Sequence, residues 1–311
     1  MDEIDFFISL MLMGNSRKPY REFAETFKMS VNSIHKRIKS LVNLGIIQNF
    51  QTRLGVNCFP SVVNVVMFGT SKTKDKKVTI EKLGKHECIY NVAQASGNLF
   101  YIHSYIRNLN ELDSLVSFIR QSGEIDDLII GLGKGHSSKN HEDLGDTSLS
   151  KLDYLIINSL KDNSRKTISD IADEVESATK TVRRHLNRLE EKGLIQLTLD
   201  WYPDRTGEII SMIILNLDPS TNSDTNKIID ELQKKFGQKI LFAWAFSNLP
   251  NLIILCVWTR TMKELQELET SLLSENFDSI NVTVLIEGRM FHTWKEKYLE
   301  NKIKEIKDGS V

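Results

Sequence analysis

The sequence contains few of the residues that mark disorder, cross-linking or membrane insertion. Only five prolines and 16 glycines occur in 311 residues, which argues against long low-complexity linkers. The three cysteines, Cys58, Cys88 and Cys256, are too far apart for a Cys-x-x-Cys metal pattern, and their low, odd number is typical of a reducing compartment. The longest apolar runs, such as 252–258, are far shorter than the ~18 residues of a membrane-spanning helix. We therefore expect a globular, cytoplasmic protein that needs no metal and no cofactor.

A strong net charge of either sign is also missing. The chain has 40 Lys and Arg against 41 Asp and Glu, so its formal net charge is −1. This balance leaves nucleic-acid binding open, because binding depends on a local basic patch. Residues 15–53 contain eight Lys or Arg and two Glu, whereas residues 150–196 contain nine basic and eight acidic residues. The basic excess is therefore concentrated in the first of these segments.

An internal duplication organises the chain. Residues 4–48 align without gaps with residues 152–196 at a constant offset of 148, and 12 of these 45 positions are identical. About three identities would be expected by chance from ordinary composition. The tetrapeptide Asn-Ser-Arg-Lys recurs unchanged at 15–18 and 163–166. We refer to the two repeats, including the residues that follow each aligned segment, as the first copy and the second copy.

Each copy begins with three helical patterns. In the second copy, apolar residues recur at helical spacing from Leu152 to Leu160, a short helix follows Thr167, and a third helix over 179–192 ends at Gly193. The third helix of the first copy is predicted over 31–43. Three short helices with a tight turn between the second and third are typical of a helix-turn-helix. In the second copy, alternating runs over 194–199 and 208–217 predict a β-ribbon, or wing.

The rest of each copy alternates strands and helices in the order βαββαβ, which predicts a ferredoxin-like antiparallel sheet with helices on one face. The predicted fold class is therefore α+β, with two winged helix-turn-helix domains that are each followed by a ferredoxin-like domain. We expect the C-terminal helix to dock on a ferredoxin-like domain or on a partner chain. The predicted segments are 1–55 (first helix-turn-helix), 56–132 (first ferredoxin-like domain), 133–149 (linker), 150–206 (second helix-turn-helix), 207–288 (second ferredoxin-like domain) and 289–311 (C-terminal helix).

The third helix of each copy has a polar, basic outward face. No acidic residue occurs between Ser30 and Leu41 or between Ala178 and Leu189. A helix with such a face suits the major groove of double-stranded DNA, and the repeated tetrapeptide before the second helix is expected near phosphates, where contacts set register. The predicted DNA-contacting residues are Arg17, Lys18, Asn32, Ser33, Lys36, Arg37, Lys39, Arg165, Lys166, Lys180, Thr181, Arg183, Arg184 and Arg188.

At these residues the chain resembles the Lrp/AsnC (feast/famine) family of prokaryotic regulators. The resemblance implies a sequence-specific DNA-binding transcriptional regulator, not an enzyme, that forms homodimers through its ferredoxin-like domains. It also implies an amino acid or other small effector near the turn Ser96-Gly97-Asn98, whereas the matching turn at 247–251 has no glycine. Because family members usually carry one copy, this chain resembles two fused subunits. The resemblance depends on Leu152-Asp153, Asn163 to Arg165, Thr181 to Arg184, Leu189 to Ile195, Met29 to Ile38, and Leu41 to Ile47.

Two other interpretations remain open. Sirohaem decarboxylases resemble this family, share the fold and can be fused pairs, so fold alone does not separate an enzyme from a regulator. For that enzyme class, His103 and Arg107 are the candidate site residues, and the neighbouring segment 91–100 contains no Arg or His. The other alternative is a protein-interaction scaffold whose helix-turn-helix units no longer bind DNA. Tests of duplex binding and of absorbance with added haem precursors would discriminate the regulator, the enzyme and the scaffold interpretations.

Overall fold

The computed structural model describes residues 2–134, 147–202, 207–220, 224–275 and 277–309. They divide into two compact units. The first comprises the described parts of Met1–Pro60, Ser137–Thr206 and Trp294–Val311, and the second those of Ser61–His136 and Gly207–Thr293. Each unit thus combines corresponding parts of both copies. Most of the predicted linker 133–149 lies outside the described residues.

The first unit contains both predicted helix-turn-helix triplets. In the third helix of the first copy, α3 (Val31–Asn43), the side chains of Ile34, Ile38 and Leu41 are buried. In the third helix of the second copy, α8 (Thr179–Glu191), the equivalent face is buried in the same way. Helix α3 begins and ends where the periodicity predicts, and α8 ends one residue earlier. The helices are α1 (Glu3–Gly14), α2 (Tyr20–Phe27) and α3 (Val31–Asn43) in the first copy, and α6 (Lys151–Leu160), α7 (Ile168–Glu174) and α8 (Thr179–Glu191) in the second.

The strand after each triplet pairs with the equivalent strand of the other copy. Strand β1 (Ile47–Leu54) and strand β6 (Ile195–Trp201) form an antiparallel two-stranded sheet. The predicted ribbon between 194–199 and 208–217 is therefore wrong, because the second of these runs belongs to the other unit. Alternation identifies a strand but not its partner. Burial selects the partner here, since Leu54 packs into the core of the second triplet and Leu199 into that of the first.

The C-terminal helix α11 (Trp294–Lys307) docks on the second helix-turn-helix triplet. Leu299 and Ile303 join the core of that triplet, and the hydroxyl of Tyr298 lies 3.1 Å from that of Tyr154. Lys295 is 2% exposed and its Nζ donates to a backbone carbonyl of β1 at 3.2 Å. Burial lowers the pKa of Lys295 to about 8. The expected docking on a ferredoxin-like domain or a partner is therefore wrong, and the helix begins later than predicted because a strand extends to residue 290.

The second unit is built on one eight-stranded antiparallel sheet in the order β5-β2-β4-β3-β10-β7-β9-β8. Each half of this order repeats the ferredoxin-like arrangement, which confirms the predicted fold class. Strands β3 and β10 join the halves, with Ala95 opposite Leu285 and Asn91 opposite Met290. The strands are β2 (Val63–Thr70), β3 (Ile89–Ala95), β4 (Leu99–Ile106), β5 (Ile129–Leu132), β7 (Ile209–Leu217), β8 (Ile240–Ala245), β9 (Leu252–Thr259) and β10 (Phe277–Met290).

The two outer strands of this sheet also meet. Gly133 forms an antiparallel bridge with Phe246, and the N–H of Ser247 donates to the carbonyl of Leu132 at 2.8 Å. These contacts close the sheet into a barrel. The Phe246 ring would lie within 2.3 Å of any Cβ at Gly131, so this close approach requires glycine.

The helices of the second unit cover one face of the sheet, as predicted. In the second copy, Leu232 and Leu268 pack against the alternate residues Ile213, Leu215 and Leu255 of the sheet. The helices are α4 (Lys76–Leu83), α5 (Leu112–Gly123), α9 (Thr225–Phe236) and α10 (Met262–Leu273).

Candidate nucleic-acid interface

Six of the predicted DNA-contacting residues lie exposed on the third helices. Burial of the inward face fixes the rotation of α3 and α8, so their polar residues point to solvent. Within the described ranges none of the six forms an ion pair, and Ser33 and Thr181, at the start of the same faces, are half-buried. The exposed residues are Asn32, Lys36 and Lys39 on α3, and Lys180, Arg183 and Arg184 on α8.

Arg37 and Arg188 instead hold the third helix against the first helix of its own copy. The Nη1 of Arg37 donates to Asp2 at 2.8 Å and to Asp5 at 2.7 Å, and the hydrogen bond to Asp5 is the main reason that the pKa of Arg37 is raised. The Nη2 of Arg188 donates to Asp153 at 2.5 Å. Both guanidinium groups are therefore committed to carboxylates, and base contact would require breaking these pairs.

Asp153 is the centre of this clamp in the second copy. Its side chain is fully buried and accepts hydrogen bonds from Ser150, from Arg188 and, at 2.8 Å, from Nδ1 of His185. Burial alone would raise the pKa of Asp153, but these hydrogen bonds outweigh burial and hold the pKa below 3.8. Asp5 and Asp153 are related by the offset of 148, and so are Arg37 and His185, so both copies use the same two positions for the clamp.

Arg17 and Arg165 lie between the two helix-turn-helix triplets. The Nη1 of Arg17 donates to the backbone carbonyls of Ser164 at 2.6 Å and Lys166 at 2.7 Å, and Arg165 donates reciprocally to the carbonyl of Ser16. The hydroxyls of Ser16 and Ser164 are 2.6 Å apart and buried. Partial burial lowers the pKa of both arginines. The repeated tetrapeptide thus forms a contact between copies, which differs from the predicted phosphate contact.

The lysines of this tetrapeptide pair with glutamates of their own copy. The Nζ of Lys18 lies 3.6 Å from the carboxylate of Glu22, and that of Lys166 lies 2.7 Å from Glu174. Ion pairs at the surface of this kind contribute little to stability. Both ammonium groups lie near the surface at the start of the second helices. Because each ion pair is weak, replacement of the glutamate by a phosphate would cost little stability.

A local two-fold relation connects the two helix-turn-helix triplets, which both belong to the first unit. Phe50 pairs with Leu199 and Gln51 pairs with Thr198, and exchanging the copies by the offset of 148 converts one pair into the other. Near the ends of this ladder the backbones approach so closely that a Cβ on Gly55 would lie 2.0 Å from the carbonyl oxygen of the second copy's helix-terminating glycine. The sequence predicted that glycine as a helix end but missed Gly55, because only the pairing of the copies creates this contact.

The predicted effector turn lies in the second unit, between β3 and β4. Gly97 has φ of 70° and Asn98 has φ of 59°, so the turn needs the conformational freedom of its glycine. The hydroxyl of Ser96 accepts a hydrogen bond from the N–H of Val284 at 3.2 Å. The structure thus brings the three residues into one turn held by β10, and in the part of the chain that it describes no cluster of residues could hold a metal ion.

The two candidate residues of the enzyme interpretation are both engaged in packing or pairing. His103 is 6% exposed, its ring lies 5.2 Å from that of Trp244, and burial lowers its pKa to about 4. Arg107 donates to Glu87 at 2.7 Å and to Glu111 at 2.6 Å. Neither side chain offers a cationic group that is free to bind a substrate carboxylate.

Comparison with known proteins supports the duplicated helix-turn-helix. The family described as winged helix-turn-helix DNA-binding matches residues 1–48 and again residues 149–196. An uncharacterised HTH-type transcriptional regulator of Pyrococcus furiosus is 32% identical over 97 residues, which are 30% of this chain and 64% of that protein. The HTH-type transcriptional regulator Ptr1 of Methanocaldococcus jannaschii is 27% identical over 121 residues, 39% of this chain and 80% of that protein.

Solved structures of one protein extend over nearly the whole chain. The siroheme decarboxylase NirDL superposes with a TM-score of 0.58 over 97% of this chain and 99% of its own, at 11% identity. At this identity the likeness establishes a shared fold only. The Pyrococcus relatives are covered over 64% and 65% of their length, slightly less than two thirds.

These findings define the class of protein. The chain carries two winged helix-turn-helix units of the DNA-binding type, joined to two ferredoxin-like domains. Its two matched segments lie 148 residues apart, as the internal duplication requires, and the sequence relatives it resembles are named as HTH-type transcriptional regulators. Among the described residues, every helix is too short or too polar to cross a membrane.

Proposed function

We propose that this protein is a transcriptional regulator that binds double-stranded DNA through α3 and α8. The observation that carries the proposal is the exposed basic face on both helices, which has no acidic residue from Ser30 to Leu41 or from Ala178 to Leu189. The opposite face of each helix is locked by the core of its triplet. A helix of this chemistry enters the major groove, where side chains reach the base edges. The names of the sequence relatives support the same function.

We expect Arg184→Ala and Lys36→Ala each to weaken duplex binding about 10-fold or more, since a base contact contributes ~1–3 kcal/mol. Fluorescence anisotropy titration of a bound duplex would measure the affinity. Both side chains are exposed, so the unfolding transition should stay unchanged. Removing a phosphate contact would also reduce the salt dependence by a slope of ~0.9 per contact.

The matched control for this experiment is Lys85→Ala. Lys85 is equally exposed but lies in the second unit, outside the helix-turn-helix triplets. The Lys85→Ala variant should leave both the duplex affinity and its salt dependence unchanged. Unchanged affinity in Arg184→Ala and in Lys36→Ala would remove the groove assignment, and the scaffold interpretation predicts that no duplex is bound even at low ionic strength.

We further propose that the protein is not an enzyme, against the alternative of a sirohaem decarboxylase. The full-length likeness to siroheme decarboxylase NirDL is the observation that favours the alternative. The engagement of His103 and Arg107 supports the regulator. When sirohaem is added to the purified protein, we therefore expect its absorbance spectrum to match that of free sirohaem. We also expect the added sirohaem to keep its carboxyl groups. A saturable spectral shift together with loss of carbon dioxide would establish the enzyme instead.

The finer features of the regulator are part of the same proposal. We expect a homodimer through the ferredoxin-like domains, and an amino acid or similar effector near Ser96, Gly97 and Asn98. The three cysteines are free thiols, which is compatible with a cytoplasmic location. Sedimentation of the purified chain would test the dimer, and a change in DNA affinity with a panel of amino acids would test the effector.

A further inference from the structure

We infer that a single chain reads two adjacent half-sites of different sequence, arranged as an imperfect inverted repeat. This inference rests on the proposed DNA binding and specifies the target. We call α3 and α8 the reading helices, because they are the helices proposed to enter the major groove. A symmetric dimer of a single-copy protein presents two identical reading helices, whereas this chain presents two different reading helices from one polypeptide. The target should therefore lack the exact symmetry of a palindrome.

The inverted orientation follows from the contact between the copies. The β1–β6 ladder, the Ser16–Ser164 hydrogen bond and the reciprocal Arg17 and Arg165 contacts all repeat when the copies are exchanged. Two helices related by such a two-fold fit half-sites of opposite orientation. An inverted repeat is therefore the arrangement that the first unit matches.

The spacing of the half-sites is set within one compact unit. Both reading helices belong to the first unit, and each is tied to the first helix of its copy by Asp5 or Asp153. The strand exchange places Leu54 in the core of the other copy, so the two triplets are held together by buried contacts. One chain thus offers both helices at a fixed separation, which we expect to match about one DNA turn.

The two half-sites differ because the exposed residues differ at equivalent positions. With the offset of 148, Lys36 of α3 corresponds to Arg184 of α8, and Asn32 corresponds to Lys180. Arginine binds guanine through two parallel hydrogen bonds from a rigid fork, and asparagine binds adenine through two hydrogen bonds. Lysine also contacts guanine, but as a flexible point charge it holds that geometry less strictly. Helix α8 also exposes Arg183, so the half-site that it reads should depend more strongly on guanine.

The test is selection from a randomised duplex library with the full-length chain, repeated with variants. For the natural chain we expect two inverted, unequal half-sites. Arg184→Lys should relax the guanine preference about 10-fold in one half-site and leave the other unchanged. Lys36→Arg should strengthen the guanine preference in the other half-site. Both substitutions conserve charge on exposed positions, so folding is not at risk.

The outcomes separate this inference from the proposed function. If Arg184→Lys alters both half-sites equally, two chains are reading with the same helix and the inference is overturned while DNA binding stands. The same holds if the natural chain selects two identical half-sites. If no duplex is retained at low ionic strength, the proposed function fails, and the inference fails with it.

Discussion

A Gly55→Ala variant is expected to lose about 3 kcal/mol of unfolding free energy, at the upper end of what overpacking costs. The added Cβ would lie 2.0 Å from the carbonyl oxygen of Gly193 and 2.9 Å from the carbonyl carbon of Leu194. Both neighbours are backbone atoms, so no rotamer change relieves the clash. The N–H of Gly55 also donates to the carbonyl of Leu194 at 2.8 Å, and separation of the strands would weaken that bond.

Denaturant unfolding followed by circular dichroism would measure this loss. The matched control is Gly14→Ala, because nothing lies within 4 Å of a Cβ at Gly14, the last residue of α1. That variant should be neutral or slightly stabilised, since alanine is a better helix former. A Gly55→Ala protein as stable as the Gly14→Ala protein would show that the copies do not approach as closely as described.

The second large effect is expected for Asp153→Ala, with a loss of about 2–4 kcal/mol. Removing one member of a buried ionic network typically costs ~3–5 kcal/mol, and Arg188 is exposed enough to recover part of its solvation. The variant also loses the capping contacts with Ser150 at the start of α6. Because His185 and Arg188 belong to α8, the reading helix should loosen, and DNA affinity should fall together with stability.

The first copy supplies the control for Asp153→Ala. Asp5→Ala removes the equivalent carboxylate, but Asp5 is 18% exposed and Arg37 keeps Asp2 as a second partner, so the expected loss is about 1–2 kcal/mol. Thermal and denaturant unfolding of both variants would rank them. An equal or larger loss for Asp5→Ala would contradict the central position that we assign to Asp153.

The clamp also has a defined pH dependence. The folded-state pKa of Asp153 lies below the ordinary value of 3.8, so its contribution to stability is complete above pH ~4 and is lost as pH falls through the folded-state pKa. The natural chain should therefore lose more stability between pH 5 and pH 2–3 than Asp153→Asn, which has no charge to titrate. Parallel acid-unfolding curves for the two proteins would count against this role.

Much of the architecture could be predicted from local pattern. The bounds of α3, the inward residues Ile34 and Val182, and the βαββαβ order follow from periodicity, because each depends on residues close together in the chain. The exposure of Lys36 and Arg184 on the third helices followed from the same argument. These features depend on the chain being amphipathic at a known period.

The remaining features depend on partners distant in sequence. Arg17 and Arg165 carried the same charge as the outward-facing residues, so composition could not distinguish a contact between copies from a phosphate contact. The partner of β6 and the docking of α11 were predicted wrongly, since alternation and a helical stripe give an apolar face but not what covers it. Local periodicity thus determines which elements form and which side they bury. Pairing across the offset of 148 determines which arginines remain exposed, because that depends on how two folded copies meet.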